Sequence, residues 1–139
     1  MRIVSGMTLG RAETRTISIA TPPQRVVEYL ADPRHLPEWA PGFATAVDHD
    51  HGDIWRVHTG GGPQRVAVRV AAEHGVVDVV SADAPHLGLF TRVVPNLTGA
   101  ELIFSLFFPG DTEPSAVDAQ MAVVGEELRA VRDRVESGR

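Results

Sequence analysis

The sequence has no cysteine and no lysine, and it is sparing with aromatics: two Trp, one Tyr and five Phe in 139 residues. Each shortage closes off some chemistry. Without a thiol there is no disulfide, no thiolate nucleophile and no cysteine zinc site. All 13 basic residues are arginine, so no lysine amine is present to form a Schiff base. Arginine without lysine, in a chain rich in Ala, Val, Gly and Pro, points to a GC-rich bacterial genome. No window approaches 18 apolar residues, and the first residues lack the charged-then-apolar pattern of a secretory signal. No membrane insertion is therefore expected, and the cytoplasm is the expected location. A net charge of −5 disfavours nucleic acid or an anionic membrane surface as the main partner.

What is present suffices for one domain. Hydrophobic residues make up 43 % and charged residues 22 %, an ordinary globular balance that can fill a real core. Residues 1–12 show no period and hold two methionines, so a loose leader is expected there, with Met7 an alternative start. Residues 13–137 form the expected single domain.

The last stretch is the most strongly patterned. Val117, Met121, Val124, Leu128, Val131 and Val135 recur at alternating steps of four and three, which puts all six on one stripe of a helix from Pro114 to Val135. Thr112, Pro114 and Ser115 supply start signals, and arginines crowd the last turns, where the helix dipole favours cations. A stripe of this kind is stable only against an apolar partner surface.

Upstream, Glu13–Ala20 alternates as a strand, with Ile17 and Ile19 on one face. Thr21-Pro22-Pro23-Gln24 reads as a helix start, and the helix carries Val26, Val27 and Leu30 inward before stopping at Asp32-Pro33. A second short helical turn runs through Leu36 and Trp39 to Pro41-Gly42. From there the period is two, predicting strands at Phe43–Asp48, Ile54–Thr59, Gln64–Ala72, Val76–Ser81, Leu87–Val94 and Ala100–Phe108. The turn-rich links between them are short enough to require antiparallel pairing. The predicted fold is α+β: a curved seven-stranded antiparallel sheet wrapped around the C-terminal helix, with two short helices after the first strand. A sheet gripping one helix tends to leave a cavity between them.

The stretch ETRTISIATPPQRVVEYLADPRHLPEWAPGF, residues 13–43, resembles the opening of the START-like, or SRPBCC, helix-grip superfamily, in the polyketide cyclase/dehydrase group. The resemblance continues through the meander and TRVVPNLTGAELIFSLFFPG into the last helix. It implies a ligand cavity between sheet and helix, no redox cofactor, and a hydrophobic small molecule as partner. Members include aromatase/cyclases, lipid and hormone carriers, quinone-binding proteins and co-chaperone modules. The resemblance thus implies a polyketide cyclase/dehydratase-like protein, with a non-catalytic carrier or sensor as the alternative and an interaction module as a third reading. Either a monomer or a homodimer fits; the apolar Phe107-Phe108 end is one candidate contact.

Candidate residues follow. Val66, Val68 and Val70 share one face of a strand and Arg65, Ala67 and Arg69 the other; composition alone puts the valines inside. The resemblance implies the opposite, because some aromatase/cyclases carry a cavity-facing arginine at the position Arg69 matches. If Glu73-His74 is the turn, Arg69 lies opposite Asp78. On the cavity reading Arg69 polarises a carbonyl, Asp78 orients it or moves protons, and Thr91 is a lesser catalytic candidate. The ligand-binding candidates are Trp39, Phe43, Trp55, Val57, Phe104, Met121 and Val124, each of which also reads as ordinary core. Asp48-His49-Asp50-His51-Gly52-Asp53 alternates carboxylates and imidazoles but sits where a hairpin must turn and offers no third ligand, so no metal site is assigned. No serine–histidine–aspartate arrangement or phosphate-binding glycine loop is present. Gly60-Gly61-Gly62 reads as a flexible hairpin, and Leu102, Phe104, Leu106 and Phe108 as a greasy wall.

Overall fold

The computed structural model describes residues 2–4 and 6–138. Seven strands form one antiparallel sheet: β3 (Arg11–Ile19), β4 (Ala46–His51), β5 (Ile54–Thr59), β6 (Gly62–Ala71), β7 (Val76–Ser81), β8 (Gly88–Asn96) and β9 (Gly99–Phe108). Their order is β3-β9-β8-β7-β6-β5-β4, so the chain meanders from one edge and its first long strand closes onto the last. After β3 come α1 (Pro23–Ala31), a 3-10 turn at Pro33–His35 and α2 (Leu36–Trp39), and α3 (Pro114–Glu136) ends the fold. This is the helix-grip architecture expected from the patterning, with strand ends moved by one to three residues.

The leader differs from expectation. Arg2–Val4 (β1) pairs antiparallel with Met7–Leu9 (β2), Arg2 opposite Leu9, with Gly6 at φ 79 turning the chain back. Three-residue strands are too short to show a period in the sequence. The main strand also begins at Arg11 rather than Glu13, because Arg11 and Ala12 pair with Phe108 and Phe107.

Side chains directly opposite in a sheet share a face, so the register identifies the inner one. Ile17, Leu102 and Val93 stand in one row, and Arg15, Phe104 and Thr91 in the next. Val68 faces Val79, Val66 faces Trp55, and Val57 faces Val47. Against this concave face α3 lays its stripe of Val117, Met121, Val124, Leu128, Val131 and Val135, all buried, resting mainly on β3 and β9. The expected hydroxyl caps are not used: Thr112 donates to the Pro109 carbonyl at 2.7 Å, and neither α1 nor α3 has a side-chain N-cap. Proline in the first turn starts both helices instead, supplying a fixed φ where no backbone donor is needed.

A chain of polar contacts holds the short helices to α3. Glu38 of α2 accepts from the Tyr29 hydroxyl at 2.9 Å and lies 3.6 Å from the Arg134 guanidinium. Burial, then the hydrogen bond to Glu38, raises the Tyr29 pKa, so the phenol stays a donor throughout the physiological range. At the far end Glu136 accepts the Ala20 backbone N–H at 2.8 Å, pinning the end of α3 to the end of β3. Trp39 is thereby seated against Phe104, ring centroids 5.7 Å apart.

The β6–β7 link is a 3-10 turn at Ala72–His74 closed by Gly75 at φ 67, not the two-residue turn expected, yet the register still sets Arg69 opposite Asp78. A Cβ at Gly75 would collide with the Val93 carbonyl, which an L side chain in a left-handed conformation has no room to avoid. Gly75→Ala should therefore cost more than the ~1 kcal/mol typical of removing a left-handed glycine. Urea denaturation should show a lower midpoint with an unchanged slope.

Candidate functional site

The concave face is apolar and unevenly covered. Leu102 and Phe104 on β9, Val57 on β5, and Val117 and Val124 on α3 itself are fully buried, and Trp39 and Met121 nearly so. Val66, Val68, Val77 and Val93 on the same face are buried too, whereas Val47, Trp55, Val79, Leu89, Leu106 and Phe108 are half-buried, while still packed on the core. Val70, also on this face, is 46 % exposed, and Val123 on the flank of α3 is 37 % exposed. These half-buried positions, with Val70, are the apolar part of the face that solvent still reaches.

Few polar groups face inward. Thr91 is one: it is 3 % exposed and lies between Phe104 and Val77 on the inner face. The indole N–H of Trp39 is another. It is buried, and among the described residues it is the one buried side-chain polar atom with no hydrogen-bond partner. A buried donor left unpaired costs about 1–3 kcal/mol, so native proteins rarely keep one without a use. At the edge of the inner face, Glu13 takes Arg11 at 3.2 Å and Arg15 at 3.3 Å, and the hydrogen bond from Arg11 is the main cause that lowers the carboxyl pKa below its usual value.

The expected catalytic set is divided between the two faces of the sheet. Arg69 is exposed and Asp78 half-buried, and both lie on the face turned away from α3, because their strand neighbours Val68, Val70, Val77 and Val79 take the inner positions. The composition reading of β6 is therefore the correct one, and the cavity placement of Arg69 is corrected. An arginine inside this face would carry a charge into an apolar core with no anion to meet it. Asp78 nonetheless reaches Thr91: its Oδ1 accepts the Thr91 backbone N–H at 3.0 Å, where β7 and β8 lack a regular pair. It thus fixes the backbone that carries the inward hydroxyl.

Of the expected ligand-binding residues, Trp39, Val57, Phe104, Met121 and Val124 are buried on the inner face or beneath α3, and Trp55 stands on its half-open part. Phe43 lies in the turn after α2, half-buried against the core. The grooves that the structure shows lie beside α1 instead of between sheet and α3. A groove of about 660 Å³ runs between the start of α1, the Ala72–Gly75 turn and Arg92–Pro95 of β8. A smaller one of about 220 Å³ is lined by Arg25, Glu28, Tyr29, His35 and Val135. Both flank α1.

The polar run before β5 serves the hairpin. Asp48 takes His58 at 2.8 Å, Asp50 lies 3.3 Å from His51 and 3.4 Å from Arg65, and His49 bonds the Gly52 carbonyl at 2.9 Å. Among the described residues no three His, Asp or Glu side chains converge as a metal site would require, and no helix is long and apolar enough to cross a membrane.

Sequence reasoning missed Glu127. Its carboxyl is pushed up to about 7, by burial first and by the neighbouring Glu126 second, with no ion pair or hydrogen bond among the described residues. Its place beside the apolar stripe was visible, and the side chain is half-buried there.

Comparison with known proteins agrees with this geometry. A sequence model of the family described as polyketide cyclase / dehydrase and lipid transport matches residues 13–136. No curated protein matches the chain. Among solved structures, the Zhui aromatase/cyclase from Streptomyces sp. R1128 superposes with a TM-score of 0.68 at 17 % identity, over 91 % of this chain and 93 % of its own. The protein XoxI from Bacillus cereus gives 0.69 at 15 % identity, over 88 % and 94 %. The Aha1 dimer from Colwellia psychrerythraea gives 0.67 at 14 % identity, over 93 % and 98 %. Identities this low establish a shared fold.

The division of Arg69 and Asp78 has a measurable consequence. Arg69→Ala should change unfolding free energy by no more than ~0.5 kcal/mol, as expected for an exposed side chain. Asp78→Ala should cost ~1–2 kcal/mol, because it orphans the Thr91 N–H. Chemical denaturation of both variants checks this; equal effects would contradict the placement.

Proposed function

The chain belongs to the polyketide cyclase / dehydrase and lipid transport family, and on that premise we propose that residues 13–137 act as a single binding unit for a hydrophobic small molecule. The molecule lies against the concave sheet face beside α3, over Trp55, Leu89, Leu106 and Phe108 and under the edge of Met121 and Val124. Side chains there are half-buried or, like Met121, flexible enough to make room. Access is from the open flank by Val123, not from the grooves beside α1.

The observation that carries this reading is Trp39. Its N–H is an unpaired donor in an apolar wall, the arrangement that holds a ligand carbonyl and rejects a pure hydrocarbon. Thr91, held by Asp78, offers a hydroxyl on the same row as Phe104. A flat or flexible apolar ketone suits this set.

Binding alone accounts for the geometry. Cyclase/dehydratase-like chemistry is the second reading, favoured by the inward Thr91 hydroxyl and the indole donor, which would steady charge on a carbonyl oxygen. Arg69 takes no part in either reading. A ligand recovered unchanged after incubation supports the carrier; one recovered with water lost or a ring closed supports the enzyme, and mass spectrometry of the released compound separates the two.

The binding test uses 9-fluorenone and fluorene, which share a shape and differ by one carbonyl. The wild-type protein should favour fluorenone, and Trp39→Phe, which keeps an aromatic wall, should weaken fluorenone binding about five- to tenfold, as loss of ~1 kcal/mol predicts. Fluorene should be held equally by both proteins. Isothermal calorimetry showing no difference between the two ligands in either protein would refute the carbonyl site.

A further inference from the structure

We propose that the larger groove beside α1 is a second binding site, separate from the concave face, and that it takes a small amphipathic carboxylate whose anionic head is held by Arg92.

The groove exists because two neighbouring strands end at different heights. β7 begins at Val76, opposite Arg92, while β8 runs on to Asn96 against β9. The turn before β7 brings only Ala72 and Gly75 to the gap as small residues, and the start of α1 stands on the other side. Val27, Val93 and Gly75, all buried, make the floor, and Pro23, Val94 and Pro95 extend the apolar wall. The volume of about 660 Å³ lies within the usual range of small-molecule pockets.

The head group follows from the charges. Glu28, Glu73, His74 and Arg92 line the groove. The Gln24 amide donates to Glu28 at 3.0 Å, and Glu73 lies 3.8 Å from the His74 imidazole. Arg92 stands exposed between Val76 and Ile103, which offer it nothing polar. The carboxylates diagonal to it are engaged elsewhere, Asp78 with the Thr91 N–H and Glu101 with Thr16, Ser18 and Asn96. Among the described residues no carboxylate pairs with Arg92. A guanidinium is a planar fork of donors that fits a carboxylate through two bonds at once. The net charge of −5 gives anions no general attraction, so retention depends on this one group.

Pro95 argues for a small molecule over a peptide strand. Alternate residues of β8 turn their backbone toward β7. The Thr91 N–H goes to Asp78, the Val93 N–H donates to the Gly75 carbonyl at 2.8 Å, and Pro95, next in line, has none. A strand laid along this edge would miss the donor that begins its ladder.

The test uses 2-naphthoate and its neutral counterpart 2-naphthamide, followed by calorimetry and amide NMR. 2-Naphthoate should shift the amides of Gly75, Arg92 and Val94 and leave Phe104, Met121 and Val124 unmoved. Arg92→Gln should weaken 2-naphthoate about tenfold and leave 2-naphthamide unchanged, with Arg92→Lys in between. Tm should not change, because the side chain is exposed. Ala72→Phe, which fills the groove from an exposed turn position, should abolish binding of both probes. Absence of 2-naphthoate binding, equal affinity in wild type and Arg92→Gln, or competition by 9-fluorenone overturns the proposal. Tighter binding of an acetylated Val-Glu-Val-Glu peptide at the same amides overturns it too, because the occupant would then be a strand.

Discussion

The structure depends on one contact, the apolar stripe of α3 against the concave face of β3 and β9. Neither part is stable alone: the helix would expose six large apolar side chains, and the sheet would expose a wall of Leu102, Phe104 and the inward valines. Burial at ~1.5–3 kcal/mol for each large side chain, a gross upper figure, makes this the largest favourable term in the fold. Ion pairs at the surface contribute little by comparison. Their use is positional, as with Glu38, which fastens α2 to α1 and α3 and so seats Trp39.

The same contact decides where a ligand has room. α3 packs chiefly on β3, with α1, α2 and β9 around it, and the middle strands are buried at Val57, Val66, Val68, Val77 and Val93 but half-open at Trp55, Val79 and Leu89. The half-open side chains are apolar, and two polar groups, the Trp39 N–H and Thr91, are buried at this face. Such isolation gives each of them weight, because a low-dielectric setting strengthens a satisfied polar contact and penalises an unsatisfied one.

Much of this architecture was legible in advance. The step pattern of α3, the prolines that start α1 and end it, and the alternating runs of β5 and β7 each announce their element locally. Val76–Ser81 and Ile54–Thr59 fall on the predicted residues because turn-formers bound them on both sides. Arg69 opposite Asp78 was also readable, since the sum of paired positions survives a change from a two-residue to a four-residue link. The leader hairpin was not, because three-residue strands carry no period. The hydroxyl caps were misread because proline at the first turn makes them dispensable.

The sequence alone determined the periodicities, and through them the element order, the antiparallel meander and the stripe of α3, because hydrogen bonding and side-chain geometry act between near neighbours. It also marked the valines of β6 as the set that faces inward. Tertiary structure decided how far α3 covers the sheet, that open grooves flank α1, and that Asp78 serves the backbone of Thr91 instead of a ligand. It also decided that, among the described residues, the Trp39 N–H has no partner, and that Glu127 is half-buried. Those outcomes depend on groups far apart in the chain competing for one volume, and no local pattern records which of them water can still reach.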